Sequence, residues 1–177
     1  MIFSRAPLRI GLSGGGTDVE PYCSMFTGEV LNCTINKYAH CSISINRHGQ
    51  FHHVISYDRN LEHKGPDIFN NNLKGIALVK GVYNYFQMNF AITNDYLKIT
   101  TNVDAPIGSG LGSSSTLTVA IISAMAKFFN LTLSNHEIAE AAFYVERIYL
   151  KFSGGKQDQF AASYGGFNFM TFKKDKT

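Results

Sequence analysis

The spacing of apolar and polar positions changes several times along the chain, and each change predicts an element. Leu8, Ile10 and Leu12 alternate with their neighbours, the period of a strand, and this run ends at Gly14-Gly15-Gly16. Residues 30–45 predict one or two strands and residues 51–57 another, with a turn over 46–50. Residues 59–72 are polar, with Gly65-Pro66-Asp67 and Asn70-Asn71-Asn72, and predict a loop. Ile76, Val79, Val82, Tyr83 and Phe86 recur at three and four, a helical stripe. Tyr96 to Val103 alternates again and predicts a strand, stopped by Pro106. Leu117, Ala120, Ile121, Ala124, Met125 and Phe128 mark one buried helix face. Ser134 and Glu137 form a capping box for the next helix, whose inner stripe is Ile138, Ala141, Ala142, Val145 and Tyr149. A short helix over 158–164 leads through Gly165-Gly166 into a strand over 167–172. Strands and helices mixed in one unit, without repeats or low-complexity linkers, predict an α+β fold.

Composition narrows the function classes. A chain of 177 residues holds one good-sized domain or two cramped ones, and 45% apolar with 16% charged residues is enough for a packed core. Sixteen Lys+Arg against 13 Asp+Glu leave a net charge of +3. The cations are scattered apart from Lys173-Lys174-Asp175-Lys176, so no nucleic-acid partner is expected. No run approaches the roughly 20 apolar residues of a membrane span, so no membrane partner is expected either. Residues 1–5 show no signal-peptide pattern. Cys23, Cys33 and Cys41 are odd in number and lack CxxC spacing, which favours a reducing, cytoplasmic setting. The six histidines show no metal-binding spacing, and adjacent His52 and His53 would face opposite ways on a strand.

Glycine clusters at 14–16, at 108, 110 and 112, and at 154–155. The second cluster, Pro106-Ile107-Gly108-Ser109-Gly110-Leu111-Gly112-Ser113-Ser114-Ser115, joins a predicted strand to a predicted helix. There the backbone N–H groups and the helix N-terminus can cradle an anion, and the serine hydroxyls can meet phosphate or a cation. Neither a Walker A loop nor a dinucleotide fingerprint is present. The plainer alternative is a flexible loop whose serine caps the helix. Ser153-Gly154-Gly155-Lys156 has SxxK spacing, but no Lys-Thr-Gly or Ser-Asp-Asn accompanies it.

Taken together, the clusters resemble the GHMP kinases, the superfamily of galactokinase, homoserine kinase, mevalonate kinase and phosphomevalonate kinase. Arg5 to Asp18 is similar to that family's first motif, Pro106 to Ser115 to its second, and Gly155-Lys156-Gln157-Asp158-Gln159 to the segment carrying its catalytic aspartate. The resemblance implies the family's N-terminal domain over 1–177, a mixed sheet packed against helices that binds ATP and substrate. It implies that a C-terminal domain, with a third glycine-rich motif, lies outside this chain. Three glycines before Thr17-Asp18 look most like the branch that phosphorylates the anomeric hydroxyl of a heptose 7-phosphate; fucose- and galactose-type kinases, or a non-catalytic binding fragment, are the alternatives.

The resemblance also implies roles. Asp158 would orient or accept the proton of the attacking hydroxyl, and Arg9 would stand beside it and the transferring phosphoryl group. Pro106, Gly108, Ser109, Gly110, Leu111, Gly112, Ser113, Ser114 and Ser115 would hold ATP. Ser114 and Glu146 would hold Mg²⁺, with Ser113 the next candidate for the hydroxyl. Gly15, Gly16, Thr17, Asp18 and Lys156 would meet a small sugar phosphate, Lys156 at its phosphate. The plainer readings are a helix N-terminal Asp158, an exposed Glu146 beside Arg147, an exposed strand cation at Arg9, and a turn at Asp18.

Overall fold

The computed structural model describes residues 1–47, 49–71, 73–92, 95–106 and 108–173. His48, Asn72, Ile107 and the Lys174-Asp175-Lys176 part of the basic run lie outside the described residues.

The first predicted strand is β1 (Ile2–Ser13), and residues 30–45 form one long strand, β2 (Gly28–Ile45), antiparallel to it. Residues 51–57 give β3 (His52–Ser56) and the run before Pro106 gives β5 (Leu97–Val103). Between them Leu61–Gly65 forms β4, where the polar composition predicts a loop. It pairs with β3 at the edge of the sheet, so neither of its faces is fully buried and no apolar alternation marks it. The order β1-β2-β5-β3-β4 makes a mixed sheet, parallel only between β3 and β5. β6 (Phe167–Phe172) joins the first residues of β2, beyond the reach of β5.

Helices cover one face of this sheet. Ala6, Ala39, Cys41, Ile43, Leu97 and Ile99 point into a core completed by α2 (Ala77–Asn89) and α3 (Ser113–Phe128). The predicted stripes are the buried ones: Val79, Val82 and Phe86 on α2, and Leu117, Ala120, Ile121, Ala124 and Met125 on α3. Each large apolar side chain fully buried there contributes about 1.5–3 kcal/mol. Along β1 the buried positions are Ser4, Ala6 and Leu8, whereas Ile10 and Leu12 are exposed because the strand runs past the helical cover. A short helix, α1 (Tyr22–Phe26), buries no residue, which is why no stripe announces it.

The capping box at Ser134 forms as the sequence predicts and starts α4 (Asn135–Phe143). The stripe expected to run on to Tyr149 does not. Tyr144–Tyr149 is a π-helical turn, in which Val145 and Glu146 are buried while Ile148 and Tyr149 are exposed. The wider turn changes which residues face inward, a device that recurs at functional sites. α5 (Gln157–Tyr164) follows. No helix among the described residues is long and apolar enough to cross a membrane.

Candidate functional site

The second glycine cluster connects β5 to α3. Gly108, Gly110 and Gly112 all take left-handed backbone, with φ of 82°, 73° and 74°. Gly112 is the N-cap of α3 and no side chain caps that end, so the serines are not spent on capping. The first N–H groups of α3 have no partner within the helix, and they open toward the loop. At Gly112 a side chain would also be crowded: a Cβ would lie 3.3 Å from the carboxyl of Asp158. The loop is tied to β1, since the Arg9 N–H donates to Leu111 O at 3.2 Å, while Ser109 N donates to Pro106 O.

Arg9 and Asp158, 149 positions apart, meet beside this loop. Arg9 Nε and Nη2 both reach Asp158 Oδ1, at 2.7 and 2.6 Å, and Nη1 donates to Gly110 O at 2.7 Å. Arg9 is therefore not an exposed strand cation; 14% of its side chain is accessible. Asp158 does stand in the first turn of α5, but its carboxyl is paired with Arg9 instead of capping that helix.

Glu146 is fully buried, which overturns its reading as an exposed helical residue. Its Oε1 accepts from Ser114 Oγ at 3.0 Å and its Oε2 from Ser115 Oγ at 2.7 Å. Gln159 Nε2 donates to the same Oε2, and Arg147 Nη2 stands 3.8 Å away. Ser115, not Ser113, is the second hydroxyl on this carboxylate. Among the described residues no group of three or more His, Cys, Asp or Glu side chains could hold a metal ion. One carboxylate with hydroxyls beside an anion loop instead fits Mg²⁺, which takes few protein ligands and completes its shell with phosphate oxygens and water.

A cleft of ≈ 390 Å³ brings together Gly108, Gly110, Gly112, Ser113, Ser114, Ser115 and Asp158. Asp58, Arg59, Arg147 and Phe152 also line it, and the sequence reading passed over all four as site residues. The sequence marks Arg147 only as the neighbour of Glu146. Asp58 and Arg59 sit at a stretch without pattern and gave no signal.

The residues assigned to substrate are less united. Asp18 is almost fully buried, and its Oδ2 and Oδ1 accept from Gln157 N and Nε2, both at 3.0 Å. Asp18 does lie in the turn that follows the first glycine cluster, where Val19 N donates to Gly16 O at 3.3 Å, and its carboxylate also ties that turn to the start of α5. A Cβ on Gly155 would fall 2.1 Å from Asp18 Oδ2, so this approach requires glycine. The Thr17 hydroxyl is hydrogen-bonded to Gly14 O at 2.7 Å and to the backbone of Glu29. Space beside Gly15 and Gly16 is open. Lys156 Nζ stands 3.8 Å from Glu140 and 4.8 Å over the Phe143 ring. With Asp18 it lines a second cavity of ≈ 580 Å³, separate from Asp158 but sharing Arg147, Phe152 and Ser153 with the first.

Known proteins are similar to this chain in sequence and fold. The D-glycero-alpha-D-manno-heptose 7-phosphate kinase of Campylobacter jejuni is 42% identical over 179 residues, which cover 99% of this chain and 52% of that protein. The crystal structure of a D-glycero-D-manno-heptose 1-phosphate kinase from Bacteroides thetaiotaomicron superposes with a TM-score of 0.93 at 42% identity, covering all of this chain and 58% of that one. Lactococcus lactis galactokinase in complex with galactose shares the fold, with a TM-score of 0.78 at 21% identity over 93% of this chain and 42% of its own. The chain thus spans about half the length of these relatives. The model of the GHMP kinases N terminal domain matches residues 77–166. With that match covering half of its length, the chain belongs to the GHMP kinases, as their N-terminal domain.

Proposed function

We propose that the protein is an ATP-dependent sugar kinase that phosphorylates the anomeric hydroxyl of D-glycero-D-manno-heptose 7-phosphate. The observation that carries this reading is the Arg9–Asp158 pair at the rim of the glycine loop, in one cleft with the start of α3. In the reaction the hydroxyl oxygen forms a bond to the γ-phosphorus while the bond to the β-phosphate oxygen breaks. The hydroxyl proton passes to Asp158 or to water, and ADP leaves. Both Arg9 contacts end on Oδ1, so Oδ2 is the oxygen left to orient the acceptor hydroxyl. The loop and the N-terminus of α3 hold the phosphates, and Arg9 and Arg147 supply positive charge near them. Ser114 and Glu146 would hold Mg²⁺, which neutralises charge on the phosphate oxygens.

The Campylobacter relative, named for a heptose 7-phosphate, supports the substrate; the Bacteroides relative is named for a heptose 1-phosphate, so both sugars belong in the assay. We place the reaction in the cytoplasm, on a small sugar phosphate. The alternative reading of the same motifs is a nucleotide- and sugar-binding module without turnover. An ADP-dependent rise in melting temperature without ATP consumption would select it.

The test is Asp158→Ala, assayed with ATP and a panel of heptose 7-phosphate, heptose 1-phosphate, galactose and fucose. A group that handles the acceptor proton contributes about 10²–10⁴-fold to kcat. Near wild-type kcat in the variant overturns the Asp158 role. Equal turnover of galactose and heptose 7-phosphate overturns the heptose assignment.

A further inference from the structure

Gln159 is fully buried, and its two ends are treated differently. Its Nε2 donates to Ser115 Oγ at 3.1 Å and to Glu146 Oε2, while its Oε1 is buried without a hydrogen-bond partner. The opposite amide orientation would set an oxygen against the Glu146 carboxylate, so the network itself selects this one. A side chain present only for packing would be apolar, since an apolar isostere fills the space and leaves no buried oxygen unpaired. The two N–H groups are what the amide adds.

Their effect falls on one carboxylate. Ser115 and Gln159 both donate to Glu146 Oε2, whereas Oε1 receives Ser114, which is exposed in the cleft. Arg147, whose Nε donates to Gly155 O at 3.2 Å and whose Nη2 reaches Ser115 Oγ at 3.5 Å, stands 3.8 Å from the same Oε2, so the fixed donors gather on that oxygen and leave Oε1 to Ser114. We propose that Gln159 is a positioning residue that locks Glu146, keeping Oε1 toward Ser114 and the cleft for a divalent cation. Because Gln159 follows Asp158 on α5, the same helical turn sets both carboxylates. This inference rests on the reading of the cleft as a metal-nucleotide site.

The experiment is a titration of ADP-bound protein with Mn²⁺, read by the loss of free Mn²⁺ signal in electron paramagnetic resonance, with the melting temperature of the metal-free protein alongside. Gln159→Met removes both N–H groups and the unpaired oxygen at similar volume. Outer partners of metal ligands typically contribute about 10–100-fold to affinity, and that loss is expected, with the melting temperature unchanged or raised. Unchanged Mn²⁺ affinity with a lowered melting temperature overturns the proposal and leaves Gln159 a packing residue. If wild type with ADP binds no Mn²⁺, the reading of the cleft fails and this inference with it. Should Gln159→Met not fold, Gln159→Asn, which keeps the amide but falls one methylene short of Glu146, is expected to show the same loss; unchanged affinity there overturns the proposal.

Discussion

Arg9 holds two neighbours at once, the carboxylate of Asp158 and the carbonyl of Gly110. A guanidinium does this with separate donors fixed in one plane, whereas a lysine ammonium must reach both neighbours from a single point. Arg9→Lys keeps the charge but gives up one of the two anchors, and we expect kcat to fall about tenfold or more with little change in net charge effects. Wild-type kcat in that variant would show that charge alone suffices. Glu146 poses the complementary question. Glu146→Gln preserves shape and most hydrogen-bonding capacity, so a shift of the magnesium titration to higher concentration isolates the carboxylate charge. An unmoved titration would remove Glu146 from the metal site.

At the scale of elements, the glycine loop is specified by backbone and by neighbours together. Gly112→Ala would force a Cβ into left-handed backbone, costing about 1–2 kcal/mol, and would press on Asp158. Calorimetry should show that loss of stability, and kcat should fall with it. Ser134→Ala tests an element remote from the cleft: loss of the capping box is expected to cost about 1 kcal/mol and leave kcat unchanged. These contrasts follow what could be read from the residues. The long strands, α2, α3 and the capping box were legible because each repeats an apolar spacing or a local hydrogen-bond code. β4 was not, since an edge strand needs no apolar face, and α1 was not, since it buries nothing. The glycine loop, Arg9 and Asp158 were visible as motifs; the pairing of Glu146 with Ser114 was expected from the family resemblance alone, since apolar spacing does not turn Glu146 inward. Helical spacing assumes 3.6 residues per turn, and the π-helical turn at Tyr144–Tyr149 departs from it. Gln159 was hidden for another reason: a buried amide has no signature apart from its partners.

For the molecule as a whole, we expect acid stability to depend on a buried histidine that does not line the cleft. His52 is buried against Phe69, Tyr83 and Tyr96, and its Nδ1 accepts from Leu97 N at 3.1 Å. Burial pushes its pKa below the usual 6.5, with Asp67 opposing the shift. In the unfolded chain His52 therefore takes up a proton at higher pH than in the folded one. Its contribution to stability is complete above pH 6.5 and is lost as pH falls from there through the folded-state value. Melting temperatures of wild type should decline over this window more steeply than those of His52→Phe. Equal slopes would mean that His52 does not report the acid transition.

The 149 positions between Arg9 and Asp158 also set an order in time. A ribosome adding roughly 5–20 residues per second needs about 7–30 s to travel between them. By the end of α3 the nascent chain has β1 to β5 and the glycine loop, while the aspartate has yet to be made. A growing chain thus acquires its cradle for phosphate first and its acidic partner near the end of the stretch. A message cut short after α3 would yield a loop whose Gly110 carbonyl still meets Arg9, and an arginine without its carboxylate.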